Sequence, residues 1–155
     1  MTRALVLSVL LTAPVAHAVD FGVGVGVLEV VLLPPAHGGF YVYAGGSVAV
    51  PIGKGFSFVG SVSIEWSFDQ MRGGFVVVST LDYLLVEHWG LDLNVVFIED
   101  QPGLKFSEAQ LFLGGGPGAT FFLGKWAFSL FFNLLGGLNV QGLSLVPGLN
   151  VGYTF

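Results

Sequence analysis

The stretch FSFVGSVSIEWSF, residues 56–68, decides the fold because large apolar residues alternate along it with small polar ones. One face carries Phe56, Phe58, Gly60, Val62, Ile64, Trp66 and Phe68, and the other carries four serines, Val59 and Glu65. A period of two predicts a β-strand. Soluble strands have about 5–6 residues, whereas a strand that crosses a bilayer needs about 9–11. An apolar face opposite a polar face over this length is typical of a transmembrane β-barrel.

The composition supports a membrane protein. Charged residues make up 10% of the chain and the mean hydropathy is +0.82, whereas an ordinary soluble domain has about 25% charged residues. Only helices and closed barrels satisfy their backbone groups inside a bilayer. The 24 glycines disfavour helices, and the many Val and Phe residues favour strands. A soluble β-sandwich or a lipocalin-like carrier is the alternative fold, but it would expose Phe56, Phe58 and Trp66 to water.

The first 18 residues, MTRALVLSVLLTAPVAHA, have the layout of a cleavable signal peptide. Arg3 precedes an apolar run over residues 4–11, and Ala16-His17-Ala18 provides a small-residue cleavage site. The alternative, a transmembrane helix, needs about 20 apolar residues. We therefore predict a signal peptide over residues 1–18 and a single transmembrane β-barrel domain over residues 19–155.

Eight strands are predicted, over residues 20–32, 39–50, 56–68, 74–86, 91–100, 107–123, 126–135 and 143–155. The connections alternate between short and longer ones, as in an up-and-down antiparallel outer-membrane barrel whose short turns face the periplasm. Pro117 and Pro147 fall inside predicted strands. Because a closed barrel has no free edge that could accommodate a missing N–H, each proline is expected to mark a bulge or a strand boundary. If GGGPG at 114–118 were a turn, the strand count would change.

Aromatic residues near the predicted strand ends suggest a girdle at the membrane interface. Its predicted members are Phe56, Trp66, Trp89, Trp126, Tyr153 and Phe155, and ordinary core aromatics are the alternative. The chain as given ends in LNVGYTF, residues 149–155, with apolar or aromatic side chains at Leu149, Val151, Tyr153 and Phe155.

The signal peptide, the eight short amphipathic strands and this last strand together resemble the small eight-stranded outer-membrane β-barrel proteins of the OmpA/OmpX type. The resemblance implies a bacterial outer-membrane location and contact with outer-membrane lipids and lipopolysaccharide. It also implies that Leu149, Val151, Tyr153 and Phe155 form the signal that the barrel-assembly machinery recognises. No motif selects a subfamily, and we expect a monomer.

An eight-stranded barrel is just wide enough for side chains to fill its lumen. Strand parity places the acids Glu65, Asp82, Asp92 and Glu108 inside. Depending on the length of the turn around His88, Asp82 faces Asp92 directly or diagonally, so we expect the pair to share one proton. Three interpretations follow: a hydrated polar interior, a narrow passage that attracts cations, or a catalytic acid pair.

Other functional classes are less well supported. Without residues 1–18 the chain has 4 Lys and Arg against 10 Asp and Glu, a net charge of −6, which argues against a nucleic-acid partner. The chain has no cysteine, and no cofactor or metal site is predicted. Some barrels of this size act on lipid A through Ser, His and a carboxylate at the outer rim, but only His37, in PPAHGGFY, lies on that side.

The outer connections are expected to hold Asp69, Arg72, Glu99, Asp100, Lys105 and Glu108. This is interpreted as a solvated rim, or as a rim that binds divalent cations bridging lipopolysaccharide. The predicted function is therefore a non-enzymatic barrel with a structural or membrane-integrity role. A narrow cation-selective pore lined by Glu65, Asp82 and Asp92 is the first alternative, and a lipid A-modifying enzyme is the second.

Overall fold

A computed structural model describes residues 19–32, 39–102 and 108–155. Eight strands run through them: β1 Asp20–Leu32, β2 Gly39–Gly53, β3 Phe56–Ser67, β4 Arg72–Val86, β5 Trp89–Pro102, β6 Gln110–Leu123, β7 Trp126–Gly137 and β8 Leu143–Thr154. The predicted strands match these closely, and the main differences are at the ends of β2, β4, β5 and β6. The predicted signal peptide lies outside the described residues.

The strands form a closed antiparallel barrel in which each strand pairs with its neighbours in sequence and β8 pairs with β1. The predicted eight-stranded up-and-down architecture is therefore confirmed. Among the residues that the structure describes, no helix is long and apolar enough to cross a membrane.

The register of the strands fixes their tilt. The path of paired residues from Gly22 of β1 around all eight strands returns to Leu32 of β1, ten residues further along. The tangent of the tilt angle is the ratio of this offset, ten residues of about 3.3 Å, to eight inter-strand spacings of about 4.8 Å, which gives a tilt of about 40°. At this tilt the 12 residues of β3 rise about 30 Å, which is the hydrocarbon thickness of a bilayer.

The outer surface of the barrel is an apolar band. On β5 the outward positions from Trp89 to Phe97 are all apolar, and Glu99 follows. The ten residue steps from Trp89 to Glu99 rise about 25 Å along the barrel axis, which is the height of the apolar band of outer-membrane barrels. Outward Val, Leu, Ile and Phe side chains on the other strands are likewise exposed. The sequence pattern therefore predicted the outward face correctly.

Both prolines lie inside continuous strands, so the prediction that each marks a bulge or a strand boundary is wrong. Pro117 pairs with Leu93 of β5, and only the ladder between β6 and β7 skips it. Pro147 pairs with Phe132 of β7, and only the ladder between β8 and β1 skips it. The register is the same on both sides of each gap. Each proline thus interrupts pairing with one neighbour and keeps pairing with the other, and residues 114–118 do not form a turn.

The half of the lumen toward the longer loops, here called the upper half, contains a cluster of packed hydrophobic side chains, here called the apolar plug, among buried polar groups. Its buried members are Leu28, Tyr41, Val76, Val96, Ile98, Leu135 and Val146, and Val30, Tyr43, Val78, Phe112 and Phe131 pack against them. This half is therefore more apolar than the lumen face of β3, although Glu65, Asn133 and Ser144 are also buried in it. The reason is that lumen positions on β1, β4, β5 and β8 carry apolar residues where β3 carries serine.

Candidate functional site in the barrel lumen

The lower half of the lumen, toward the short turns, contains the acid pair Asp82 and Asp92. The two residues are direct partners in the register of β4 and β5, which is one of the two pairings that the sequence allowed. Asp92 Oδ2 accepts a 2.7 Å hydrogen bond from the hydroxyl of Thr120, which shares a further 2.8 Å bond with Ser129. Asp82 Oδ1 is buried and has no hydrogen-bond partner within residues 19–32, 39–102 and 108–155. The pair is thus held asymmetrically, because only one carboxylate has a hydroxyl donor.

Neutral polar groups lie around this pair: Thr120 and Asn94 are buried, and others are partly accessible to solvent. Thr80 donates a 2.7 Å hydrogen bond to Asn94 Oδ1 one pleat above the acids. Lumen side chains at this level are half-buried, among them Ser57, Ser61, Thr80 and Asn150. The lower half is therefore a polar vestibule that ends at the apolar plug.

A second polar cluster lies at the top of the plug, and we call it the upper cluster: Tyr41, Glu65, Arg72 and Asp100. Arg72 Nε donates to Asp100 Oδ2 over 2.6 Å in a salt bridge, and Tyr41 lies 3.4 Å from the same oxygen. Glu65 is 2% exposed, and its Oε2 atom has no hydrogen-bond partner in the part of the chain that the structure describes. The sequence predicted Glu65 in the lumen, and the structure places it there.

Sequence reasoning missed Arg72 and Asp100, which it assigned to the outer connections. Arg72 is the first residue of β4, and Asp100 lies inside β5 with its side chain 6% exposed. The even parity of Asp82 and Asp92, extended to the end of the strand, would have placed Asp100 in the lumen. Conversely, Glu108 lies before the start of β6 and is exposed, so its predicted lumen position is wrong. The parity rule does not apply beyond the end of a strand.

Most of the predicted aromatic girdle lies at one level, at the short-turn end. Phe56 stacks on Tyr83 with ring centroids 4.6 Å apart, and Trp89 lies 5.0 Å from Phe121. Trp126 lies 5.0 Å from Tyr153. Tyr153 in turn lies 5.7 Å from Phe155, and Lys125 Nζ lies 5.9 Å from the Tyr153 ring. Trp66 faces outward at the opposite end of the barrel, where Gly73 leaves room for its indole ring.

The last strand closes the barrel. Leu149, Val151, Tyr153 and Phe155 occupy its outward positions, and Leu149 and Phe155 are exposed. The amide of Phe155 donates to the carbonyl of Phe21 on β1, and that of Thr154 donates to the carbonyl of Lys125, both over 2.9 Å. The four residues predicted as an assembly signal thus lie along the closing seam, on the face that a partner or a lipid would contact.

His88 is the histidine that lies within the described residues. His37 lies outside the described residues. His88 is exposed in the short turn between β4 and β5, with its ring 6.1 Å from that of Phe121. Within the described ranges, no group of three or more His, Cys, Asp and Glu side chains could hold a metal ion.

Comparisons with known proteins identify the fold. No protein-family model and no curated protein matches the chain. A de novo designed transmembrane β-barrel is similar at 13% identity and a TM-score of 0.58, over 86% of this chain and 95% of the design. Neisserial surface protein A, from Neisseria, is similar at 12% identity and a TM-score of 0.58, over 90% of this chain and all of that one. The N-terminal β-barrel domain of OprF from Pseudomonas aeruginosa gives 15% identity, coverages of 86% and 97%, and a TM-score of 0.47. The predicted resemblance is thus confirmed at the level of the fold.

Proposed function

We propose that this chain is an integral barrel of a bacterial outer membrane, with a structural or membrane-integrity role. The apolar band of about 25 Å and the aromatic girdle fit this location. The likeness to a Neisserial surface protein supports a bacterial source. The predicted signal peptide would provide export, and the short turns would then face the periplasm.

The observation that carries the structural role is the apolar plug. Seven buried side chains from β1, β2, β4, β5, β7 and β8 pack together in the upper half of the lumen, between the vestibule and the longer loops. A hydrated ion cannot cross such a layer without large cost, because its charge would lose its water. The barrel would therefore act through its outer surface and its loops, not through its lumen.

Planar-bilayer recording of the refolded protein tests this proposal. We expect no unitary current in the wild type. The narrow cation-selective pore remains the rival hypothesis, since Asp82 and Asp92 would attract cations into the vestibule. Clear cation-selective steps that shrink in the double variant Asp82→Asn, Asp92→Asn would establish the pore and refute the structural role. Glu99→Gln, which changes an outward-facing acid, is the matched control.

The lipid A-modifying enzyme is tested separately. Mass spectrometry of lipid A from cells with and without the protein should show identical species. Within the described residues no His and Ser pair approaches a carboxylate at the loop end, so nothing there favours this activity. A new lipid A species that disappears in His37→Ala would overturn the non-enzymatic proposal.

The proposed location and assembly have their own tests. The protein should fractionate with outer membranes, and its folded form should migrate faster on a gel without heating than after boiling. The barrel-assembly machinery is the proposed partner for insertion, recognising Leu149, Val151, Tyr153 and Phe155. Removal of Phe155 should therefore slow insertion in cells while leaving spontaneous refolding into detergent nearly unchanged. If insertion in cells and refolding into detergent are impaired equally, Phe155 contributes to the stability of the barrel and not to recognition by the assembly machinery.

A further inference from the structure

The upper cluster places two carboxylates on either side of a residue that has no side chain. Glu65 of β3 and Asp100 of β5 both pair in register with Gly74 of β4, so both face the lumen at neighbouring positions. A Cβ atom at Gly74 would overlap the carbonyl oxygen of Glu99, so the close approach of β4 and β5 requires glycine there. The space between the two carboxylates is therefore left without a protein side chain from the strand between them.

Both carboxylates are deeply buried, since Glu65 is 2% exposed and Asp100 is 6% exposed. Among the described residues, Glu65 Oε2 and Asp100 Oδ1 have no hydrogen-bond partner. The salt bridge from Arg72 uses the other oxygen of Asp100. The recorded salt bridge of Arg72 is with Asp100, and within the described residues no salt bridge to Glu65 is seen. A buried carboxylate without a counter-charge is energetically costly.

Near the loop end, Gln101 also has buried amide atoms without a partner, but its odd-numbered position on β5 is an outward one. The lumen-facing atoms of the upper half that have no partner among the described residues share one chemistry. Besides the two carboxylate oxygens, they are Asn133 Oδ1 and Ser144 Oγ. All four are oxygens, and three of them can only accept a hydrogen bond or bind a cation. Hard cations prefer oxygen ligands, both carboxylates and neutral oxygen groups, whereas softer transition metals prefer nitrogen and sulfur ligands.

We propose that the upper lumen binds one hard divalent cation, of which Ca²⁺ fits best, between the carboxylates of Glu65 and Asp100. Ca²⁺ tolerates irregular coordination and can be completed by neutral oxygens and water, whereas Mg²⁺ demands near-octahedral geometry. The cation enters from the loop end, because the apolar plug closes the lumen below. It would link β3 to β5 across β4 and so stabilise the loop end of the barrel. This site is internal, and so it differs from a rim that bridges lipopolysaccharide.

The test uses the full barrel refolded in detergent and stripped of metal with a chelator. CaCl₂ should raise the temperature at which the compact gel form is lost, because a ligand that binds only the folded state stabilises it. Tb³⁺ should bind with luminescence sensitised by the tyrosines of the lumen, and Ca²⁺ should displace it. Glu65→Gln should weaken both affinities by at least tenfold, while the matched variant Glu99→Gln, whose acid faces outward, should keep them.

Three results would overturn the proposal. The first is a wild-type barrel that binds no Ca²⁺ in equilibrium dialysis, which would mean that water or a proton satisfies these oxygens. The second is an equal thermal shift from NaCl at matched ionic strength, which would indicate screening. The third is unchanged Ca²⁺ affinity in Glu65→Gln. If Glu65→Gln does not refold, Asp100→Asn replaces it, with the same expected loss and the same refuting outcome.

Discussion

Two adjacent leucines on β7 provide a direct test of the plugged lumen. Leu135 faces inward and is 1% exposed, whereas Leu134 faces outward and is 49% exposed. Replacing either by alanine removes three carbon atoms, which is worth about 2.4 kcal/mol at about 0.8 kcal/mol per CH₂ group. The two variants have the same chemistry and nearly the same place in the sequence. They differ only in what can fill the space that the side chain leaves.

At Leu134, lipid can move into the vacated space, so Leu134→Ala should cost only the transfer free energy, about 2 kcal/mol. At Leu135, packed side chains surround the space and a cavity remains. Core Leu→Ala changes that leave cavities cost about 2.7–5.0 kcal/mol. Leu135→Ala should therefore cost about 3–4 kcal/mol, which is about 1–2 kcal/mol more than Leu134→Ala.

The free energy of unfolding of both variants can be measured by urea titration in phospholipid vesicles, with the heat-sensitive gel shift as a second probe of folding. Which of the two variants loses more free energy of unfolding decides whether the lumen is plugged or hydrated. In a hydrated lumen, water would replace the side chain of Leu135, so Leu135→Ala would cost little and Leu134→Ala would cost more. That order would refute the plug, and with it the main support for a non-conducting barrel.

Three further predictions concern other parts of the barrel. A Cβ at Gly116 would overlap a carbonyl oxygen of β7, whereas Gly60 has open space around it. In urea titration, Gly116→Ala should therefore lower the free energy of unfolding by about 1–3 kcal/mol, and Gly60→Ala should lower it much less. Equal losses would contradict the close approach of β6 and β7. Arg72→Ala leaves the buried carboxylate of Asp100 without its partner and should lower the free energy of unfolding by roughly 3 kcal/mol. The double variant Arg72→Ala, Asp100→Asn should recover part of this loss. If it recovers none, the broken ion pair is not the cause of the loss. The Ser67 hydroxyl holds the pKa of Asp69, in the β3–β4 turn, below its usual range, so the hydrogen bond is kept above that pKa and lost as the pH falls through it. Ser67→Ala should raise the pKa of Asp69 in an NMR titration, and an unchanged value would exclude this hydrogen bond as the cause.

The strands and the outward face could be predicted from the sequence because they depend on local alternation. In a pleated strand successive side chains point to opposite faces, so the serines of 56–68 mark the inside without any knowledge of the neighbouring strands. The Asp82–Asp92 pair was also accessible, since one short hairpin sets its register. The effect of the two prolines was predicted wrongly from the sequence. Pro117 and Pro147 were expected to mark a bulge or a strand end. In the structure each strand continues past its proline in the same register and stays paired with one neighbour.

The contents of the lumen required the tertiary structure. Glu65 and Asp100 lie on either side of Gly74 only because two successive hairpins bring three strands into one register. The plug assembles side chains from six strands at one height, and that height depends on the offset of ten residues that closes the barrel. The odd or even position of a residue along its strand determines whether its side chain faces the lumen or the lipid. The register that closes the barrel determines which side chains lie at the same height in the lumen. For this protein the sequence alone therefore determined a barrel with an apolar exterior, and only the closed register determined that its lumen is plugged.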